Sequence, residues 1–244
     1  MTFKGDVVDD RLARSVDVEL SLVTVDLTIF TIRNGTLMIL LIERGEKPFR
    51  GRWALPGGRV RSKETLDQGA RRELREETGV DGSLLHLEQL GAFGDPGRDP
   101  RGRVVTIAYL ALGPDLPEAV GGTDAAHAQW VPVDDVLGAS DPLAFDHERI
   151  FADALERIRE KLEYTTVATV FCSEPFTLTE LRGVYEVVWG RGLDPSNFRR
   201  KVTKAEGFVE PTGEQRAQQA GRPAALYRPG GASLLTPPLL RSAS

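Results

Sequence analysis

Glu73, Glu76 and Glu77 stand at i, i+3 and i+4, the spacing that projects side chains from one side of a helical turn. Like charges that close destabilise a bare helix, and the last turn, where Glu76 and Glu77 fall, disfavours anions through the helix dipole. Two broken local rules at one place suggest a functional site. A hard divalent cation is the simplest remedy, since Mg²⁺ takes carboxylate oxygens and keeps waters and substrate phosphates in its shell.

The flanking residues position that helix. Thr65-Leu66-Asp67-Gln68 has capping-box spacing, Asp67 suits the positive N-terminal end, and Gly79 fits a C-terminal stop. Leu66, Ala70 and Leu74 make an apolar stripe that should pack on a sheet, leaving the acids on the exposed face. Upstream, Trp53-Ala-Leu-Pro-Gly-Gly58 predicts an apolar strand ending in a glycine turn. Trp53 and Phe49, near this segment, suit either adenine stacking or core packing.

Gly58 to Val80 matches every fixed position of the Nudix box, G-x5-E-x7-R-E-U-x-E-E-x-G-U, at Gly58, Glu64, Arg72, Glu73, Leu74, Glu76, Glu77, Gly79 and Val80. The chain therefore resembles the Nudix superfamily. That resemblance implies an α/β (α+β) fold, a mixed sheet sandwiched by helices. It also implies Mg²⁺ (or Mn²⁺) held by Glu73, Glu76 and Glu77, with Arg72 orienting a glutamate, Glu64 bracing the loop and Gly58 facing the ligand. If the site is catalytic, the general base is a box glutamate or an acid such as Glu118 or Asp124.

Length and composition bound the rest. With 244 residues, 41% of them hydrophobic, the chain could bury one large core or two of ordinary size. No apolar run is long enough to span a bilayer, and an N-terminus carrying Asp6, Asp9 and Asp10 is not a signal peptide, so a cytoplasmic protein is expected. The single cysteine, Cys172, reads as a small buried apolar residue, and His86, His127 and His147 lack metal spacing. Strands are predicted at 23–32, 37–42 after an Asn34-Gly35 hairpin turn, 84–93, 104–112 and 128–133.

Between two of these strands, Phe93-Gly-Asp-Pro-Gly-Arg-Asp-Pro-Arg-Gly-Arg103 is too rich in Gly and Pro for regular structure. Arg98, Arg101 and Arg103 could be a solvated turn, or could grip phosphate, since guanidinium donors pair two oxygens at once. The stretch looks like the GRDPRGR segment of Nudix proteins that handle ADP-ribose. That likeness makes the three arginines candidate ligand contacts, with Asp99 orienting an arginine or touching a ribose hydroxyl.

Charge divides the chain. The residues from Tyr164 onward hold 10 Lys+Arg against 7 Asp+Glu, leaving 21 against 29 before them, which suggests two units with different partners. A periodic helix from His147 to Arg159 marks the boundary. Beyond it, the amphipathic run Phe176–Trp189, capped by Thr177 or Thr179, is followed by glycines and by Asp194-Pro-Ser opening a helix to Lys204. Phe198 and Val202 face inward there, while Asn197, Arg200, Lys201 and Lys204 point largely outward; two segments around a polar loop then suggest a two-stranded wing.

This half resembles the winged helix of the Nudix-related transcriptional regulators of NAD metabolism, and the likeness covers residues 22 to 228. It implies a homodimeric repressor, with residues 1–160 forming the Nudix domain, 161–230 a winged helix-turn-helix domain and 231–244 a flexible tail. Its implied partners are double-stranded operator DNA and ADP-ribose or a related NAD-derived nucleotide, and none is a membrane. Candidate DNA contacts are Asn197, Arg199, Arg200, Lys201, Lys204 and Arg222, although Arg199 could instead face the first helix. Members of that family often carry a degraded box, whereas this one is intact. A second reading therefore stands beside the first: an Mg²⁺-dependent pyrophosphatase cleaving ADP-ribose, its C-terminal unit serving assembly.

Overall fold

A computed structural model describes residues 20–79, 85–118, 125–217 and 222–241, without the side chains at 77–78 and 125–126. Strand β1 (Leu22–Arg33) turns through Asn34 and Gly35, both at positive φ, into antiparallel β2 (Thr36–Arg44), as the Asn-Gly pair predicts. On its other side β1 runs parallel to β6 (Val104–Leu112), which carries antiparallel β5 (His86–Phe93). Strand β7 (Ala125–Pro132) and short β3 (Trp53–Ala54) pair with β2.

One break in this sheet matters for function. β1 pairs with β2 only from Phe30 onward; along Thr24–Asp26 its neighbour is instead β4 (Gly57–Arg59). The sheet parts between those two neighbours, and Asp26 stands at the parting.

Helix α1 (Leu66–Thr78) has the expected capping box between Thr65 and Gln68 and ends at left-handed Gly79. Its Ala70 and Leu74 are fully buried against Val25, Leu27 and Ile29 of β1. After the short α2 (Val133–Leu137), α3 (His147–Tyr164) covers the opposite face, where Phe151 stacks on Phe30 at 6.3 Å. With a helix layer on each side, β1 is buried almost continuously rather than alternately.

Glu88 ties β5 to α3 through Lys161 at 2.7 Å, and its β5 neighbour His86 also holds it, at 2.9 Å. Burial alone would raise its carboxyl, but hydrogen bonds from His86 and Lys161 bring it down to about 2. A depressed carboxyl contributes stability above its unfolded value of 4.5, and that contribution is lost as pH falls toward 2. Lys161→Met is therefore expected to lower Tm clearly at about pH 7 and much less at about pH 2.5. Equal losses at both would remove Glu88 as the partner that matters.

The second unit begins at a 3-10 turn, Val167–Phe171. Phe176–Thr177 forms a short strand, β8, so Thr177 is the cap of α4 (Leu178–Trp189), exchanging hydrogen bonds with Glu180. Helix α5 (Pro195–Lys204) is capped by Asp194, and its Phe198 ring lies 5.3 Å from that of Tyr185. The wing, β9 (Val209–Arg216) and β10 (Ala224–Pro229), gains β8 as a third strand beside β10. Cys172 is buried, and its thiol is pushed up to about 12 by burial and by nearby Glu180. No described helix is long and apolar enough to cross a membrane.

Two expectations need correction. A division at 160/161 falls inside α3, which continues to Tyr164, and one apolar core joins Phe30 to Tyr185 and Leu239 across it. Residues 231–241 are not a loose tail. Leu235 and Leu239 are buried, and their backbone N–H groups bond to the Tyr164 and Glu163 carbonyls, which a helix end leaves without partners of its own. Arg241 adds ion pairs to Glu156 and Glu163. Leu239→Ala should cost about 2–4 kcal/mol, read as a clear fall in Tm. An unchanged melt would return the segment to the status of a tail.

Candidate functional site

Where β1 changes neighbours the surface opens into a cavity of about 480 Å³. Gly58, Arg72, Glu73 and Glu76 form one wall, Arg98, Asp99 and Arg101 another, and Asp26 and His147 lie at its base. The Nudix segment and the arginine loop thus meet at one place, although the chain separates them.

On the acidic wall, Arg72 is the organising group. Its guanidinium forks onto Glu64 at 3.1 and 2.7 Å and also donates to Glu73 at 2.6 Å and Glu76 at 3.2 Å. Glu64 accepts from the Arg61 backbone N–H as well, which braces the loop before α1. The hydrogen bond from Arg72 holds the Glu64 carboxyl down at about 2. Glu73 differs, because burial outweighs Arg72 and raises its carboxyl.

Glu73 also corrects an expectation: it is buried rather than held on the exposed face. Its carboxylate lies against Gly58, where an added Cβ would stand 2.1 Å from Oε1. Gly58 does border the cavity, and it is glycine because the glutamate occupies the space a side chain would need. Glu76 is half exposed at the rim and touches Arg61 at 3.4 Å; the Glu77 side chain lies outside the described residues.

Among the described residues no group of three or more acids or histidines is gathered for a metal. The donor set nonetheless fits a hard cation. Two carboxylates, Glu73 and Glu76, converge on the cavity, and the buried one lacks enough positive charge to offset its desolvation. Exposed Glu118 pairs with largely buried Arg33 at 2.7 Å and does not border the cavity; Asp124 lies outside the described residues.

The arginine loop is less open than expected. Arg98 is buried, its fork taken by Asp146 at 2.9 and 2.6 Å and its outer edge 3.5 Å from Asp26. Asp99 is buried too and orients Arg101, accepting from its backbone and its guanidinium. Arg103 turns away from the cavity to the Gly94 carbonyl. Arg101, half exposed, is the loop arginine best placed to meet an anion.

Sequence reasoning missed several lining groups. Arg44, at the end of β2, lies 4.7 Å over the Phe145 ring, and Arg101 lies 5.5 Å from the same ring. Burial and the charge of Arg101 lower the Arg44 guanidinium from its usual range, so this wall would gain from an anion. Phe145 is held at φ 58 with Phe49 packed edge-on at 4.9 Å, and partly buried Trp53 packs against the core; neither Phe49 nor Trp53 borders the cavity. His147 accepts the Leu55 N–H on Nδ1 at 2.9 Å and points Nε2 at Asp26, 3.6 Å away. Burial raises the Asp26 carboxyl, but His147, Thr106 and Arg98 together bring it below its usual range. Arg44 and Phe145 carried no motif, and His147 is a lone histidine until the fold joins it to Asp26.

On the second unit, Arg199, Arg200 and Lys204 are exposed on α5, so Arg199 does not face α4. Asn197 and Lys201 are half-buried, and Asn197 accepts from Arg200 at 2.7 Å. Arg222 is exposed beside the wing strand β10.

The NUDIX domain family matches residues 23–154, and the NrtR DNA-binding winged helix domain matches residues 170–228. An ADPR responsive transcriptional repressor NtrR of Acinetobacter baylyi is 39% identical over 209 residues, 85% of this chain and 81% of that one. A crystal structure of Shewanella oneidensis NrtR complexed with a 27mer DNA superposes with a TM-score of 0.72 at 38% identity, covering 85% of this chain and 93% of that one. The NUDIX domain of the same Shewanella protein, in a cocrystal with ADP ribose, matches at 35% identity with a TM-score of 0.54, over 63% of this chain and 99% of that one. Cavity, winged helix and relatives agree, and the chain belongs to the NUDIX family, in the branch whose NUDIX domain is followed by an NrtR DNA-binding winged helix.

Proposed function

We propose that the chain is an ADP-ribose-responsive transcriptional repressor of NAD-metabolism genes, acting in the cytoplasm as a homodimer on double-stranded operator DNA. One observation carries this reading: a cavity with a cationic wall and an acidic wall shares a chain with a helix that displays Arg199, Arg200 and Lys204. Arg44 and Arg101 suit the ligand's diphosphate, and the Glu73–Glu76 wall suits a divalent ion bridging to it. Mg²⁺ is the proposed ion, with Glu73, Glu76 and Glu77 as its carboxylate ligands. When bound, it would neutralise charge on the diphosphate. On α5, Asn197, Arg199, Arg200, Lys201 and Lys204 would contact the duplex, with Arg222 at the backbone beside the wing.

A ligand shifts DNA binding only through differential affinity for the two conformations, and the effect is reciprocal. ADP-ribose should therefore weaken operator binding, and operator DNA should weaken ADP-ribose binding by the same factor. Fluorescence anisotropy of a labelled operator, titrated with protein at several ADP-ribose concentrations, reads both. DNA affinity independent of ADP-ribose would sink the effector assignment, and no salt-sensitive DNA binding would sink the repressor.

The intact set of box residues favours a second activity, slow hydrolysis of the bound nucleotide. Glu76 would serve at the rim while Arg72 and Glu64 keep the loop in place. Turnover of ADP-ribose with Mg²⁺, lost in Glu76→Gln, would establish it. Turnover unaffected by that change would exclude the role given to Glu76.

A further inference from the structure

The two walls of the cavity share a mechanical terminus, the first turn of α3. From the arginine loop, Arg98 reaches Asp146 with both arms of its fork. From the Nudix side, His147 holds the Leu55 N–H, and Leu55 leads within three residues to Gly58, on which the Glu73 carboxylate lies. Because Nδ1 accepts that bond, the ring hydrogen sits on Nε2 and faces Asp26, itself in register with Gly57 across the β1–β4 ladder.

The other end of α3 carries the winged helix. Eighteen residues span about 27 Å. Arg159 donates to the Val188 carbonyl and accepts from the Trp189 indole, both at 3.2 Å, which fixes the end of α4. The last α3 carbonyls hold the segment carrying Leu239, and Leu239, Leu240 and Trp189 enclose a second cavity with Asn197 and Lys201 of α5. A shift or rotation of α3 is thus delivered to the helix proposed to read DNA.

Asp146 has two discrete choices of partner. As the N-cap residue of α3 it makes no side-chain cap bond, and its φ −102, ψ 22 are not the extended values that a capping residue adopts. Its carboxylate is instead on Arg98, a guanidinium shared with Asp26. A diphosphate in the cavity is a third anion competing for that group. The Arg149 and Ile150 amides already bond to the Asp146 carbonyl at 3.0 and 3.3 Å. If Arg98 is drawn away, the Asp146 carboxylate can therefore compete for the first-turn amides only by changing its own backbone, and that change passes directly into the helix.

We infer that Asp146 and His147 are the positioning residues that transmit cavity occupancy along α3 to α5, with Asp146 exchanging Arg98 for the α3 N-terminus. This rests on the effector reading above, and the test separates the two. Asp146 does not border the cavity and lies remote from α5. In the full-length protein, Asp146→Ala should bind ADP-ribose at least as tightly as the wild type by calorimetry, since Arg98 loses a competing anion, and should keep ligand-free DNA binding by anisotropy. The ratio of DNA dissociation constants with and without ADP-ribose should fall from the wild-type value, typically 5- to 150-fold, to below about 2. Asp146→Glu, which keeps the carboxylate, should restore much of it. Should Asp146→Ala not fold, Asp146→Asn removes the charge while keeping a capping acceptor, and its ratio should fall likewise. A wild-type ratio in a folded variant lacking the charge overturns the inference alone. A ratio of one in the wild type overturns the effector reading and this inference with it.

Discussion

Arg72→Ala is expected to abolish ADP-ribose binding and to lower stability by about 3 kcal/mol, a fall in Tm of roughly 6–12 °C for a chain of this size. One guanidinium serves three carboxylates, and the three differ in what its loss does. Glu64 loses the fork that holds its carboxyl at about 2, so the loop before α1 keeps only the Arg61 N–H. Glu73 is buried, and its carboxyl is already raised by desolvation; with no guanidinium beside it, it would be raised further, its charge buried without a partner. Glu76, at the rim, loses least. Arg72→Lys should recover little, since an ammonium cannot fork onto Glu64 while reaching Glu73. Calorimetric titration with ADP-ribose and Mg²⁺, alongside thermal melts, measures both effects. Wild-type binding in the alanine variant would mean that the acidic wall does not shape the ligand site.

Glu73 also shows how far the sequence was legible. Every signal that places α1 is local: the Thr65 cap, the Gly79 stop, and the Leu66, Ala70, Leu74 stripe. Helical spacing correctly groups Glu73 with Glu76, but it also sets Glu73 one residue from Leu74 and three from Ala70, on the border of the buried stripe. Gly58 alone signalled that the opposing backbone would come close enough to cover it. The winged helix was legible for the same reason, through Thr177, Gly190 and Asp194 as stops and caps.

What escaped was long-range. Leu55 and His147 are 92 residues apart, and Arg98 and Asp146 are 48 apart; no periodicity links them. Strand β4 is Gly-Gly-Arg, without β-branched or aromatic residues, and exists because β1 needs a partner where β2 departs. Residues 231–241 show neither helical nor strand periodicity because their partners are the carbonyls at the end of α3. Such segments are ordered by what they meet. The cavity is built where those long-range contacts converge, so its motif residues were readable and its floor, Asp26 with His147, was not.

The second large effect concerns α5. Phe198 and Val202 are buried, which turns Arg199, Arg200 and Lys204 outward together. Replacing all three with alanine leaves both buried anchors, the Asp194 cap and helix propensity intact, so the fold should persist. Operator affinity should fall roughly 100-fold or more, at about 1 kcal/mol or more per contact. If all three contact phosphates, the slope of log affinity against log salt should become shallower by about 3. Single substitutions then divide the roles. A side chain that reads a base relaxes preference at one operator position and changes the slope little, whereas a phosphate contact weakens all sequences alike. Arg200 is the strongest candidate for a base, because Asn197 already holds its guanidinium at 2.7 Å and limits its freedom before binding. Lys204, in the last turn with no such restraint, suits a phosphate. Anisotropy with operator and scrambled duplexes at several salt concentrations measures both quantities. A triple variant that binds operator as tightly as the wild type would show that the duplex lies on another face.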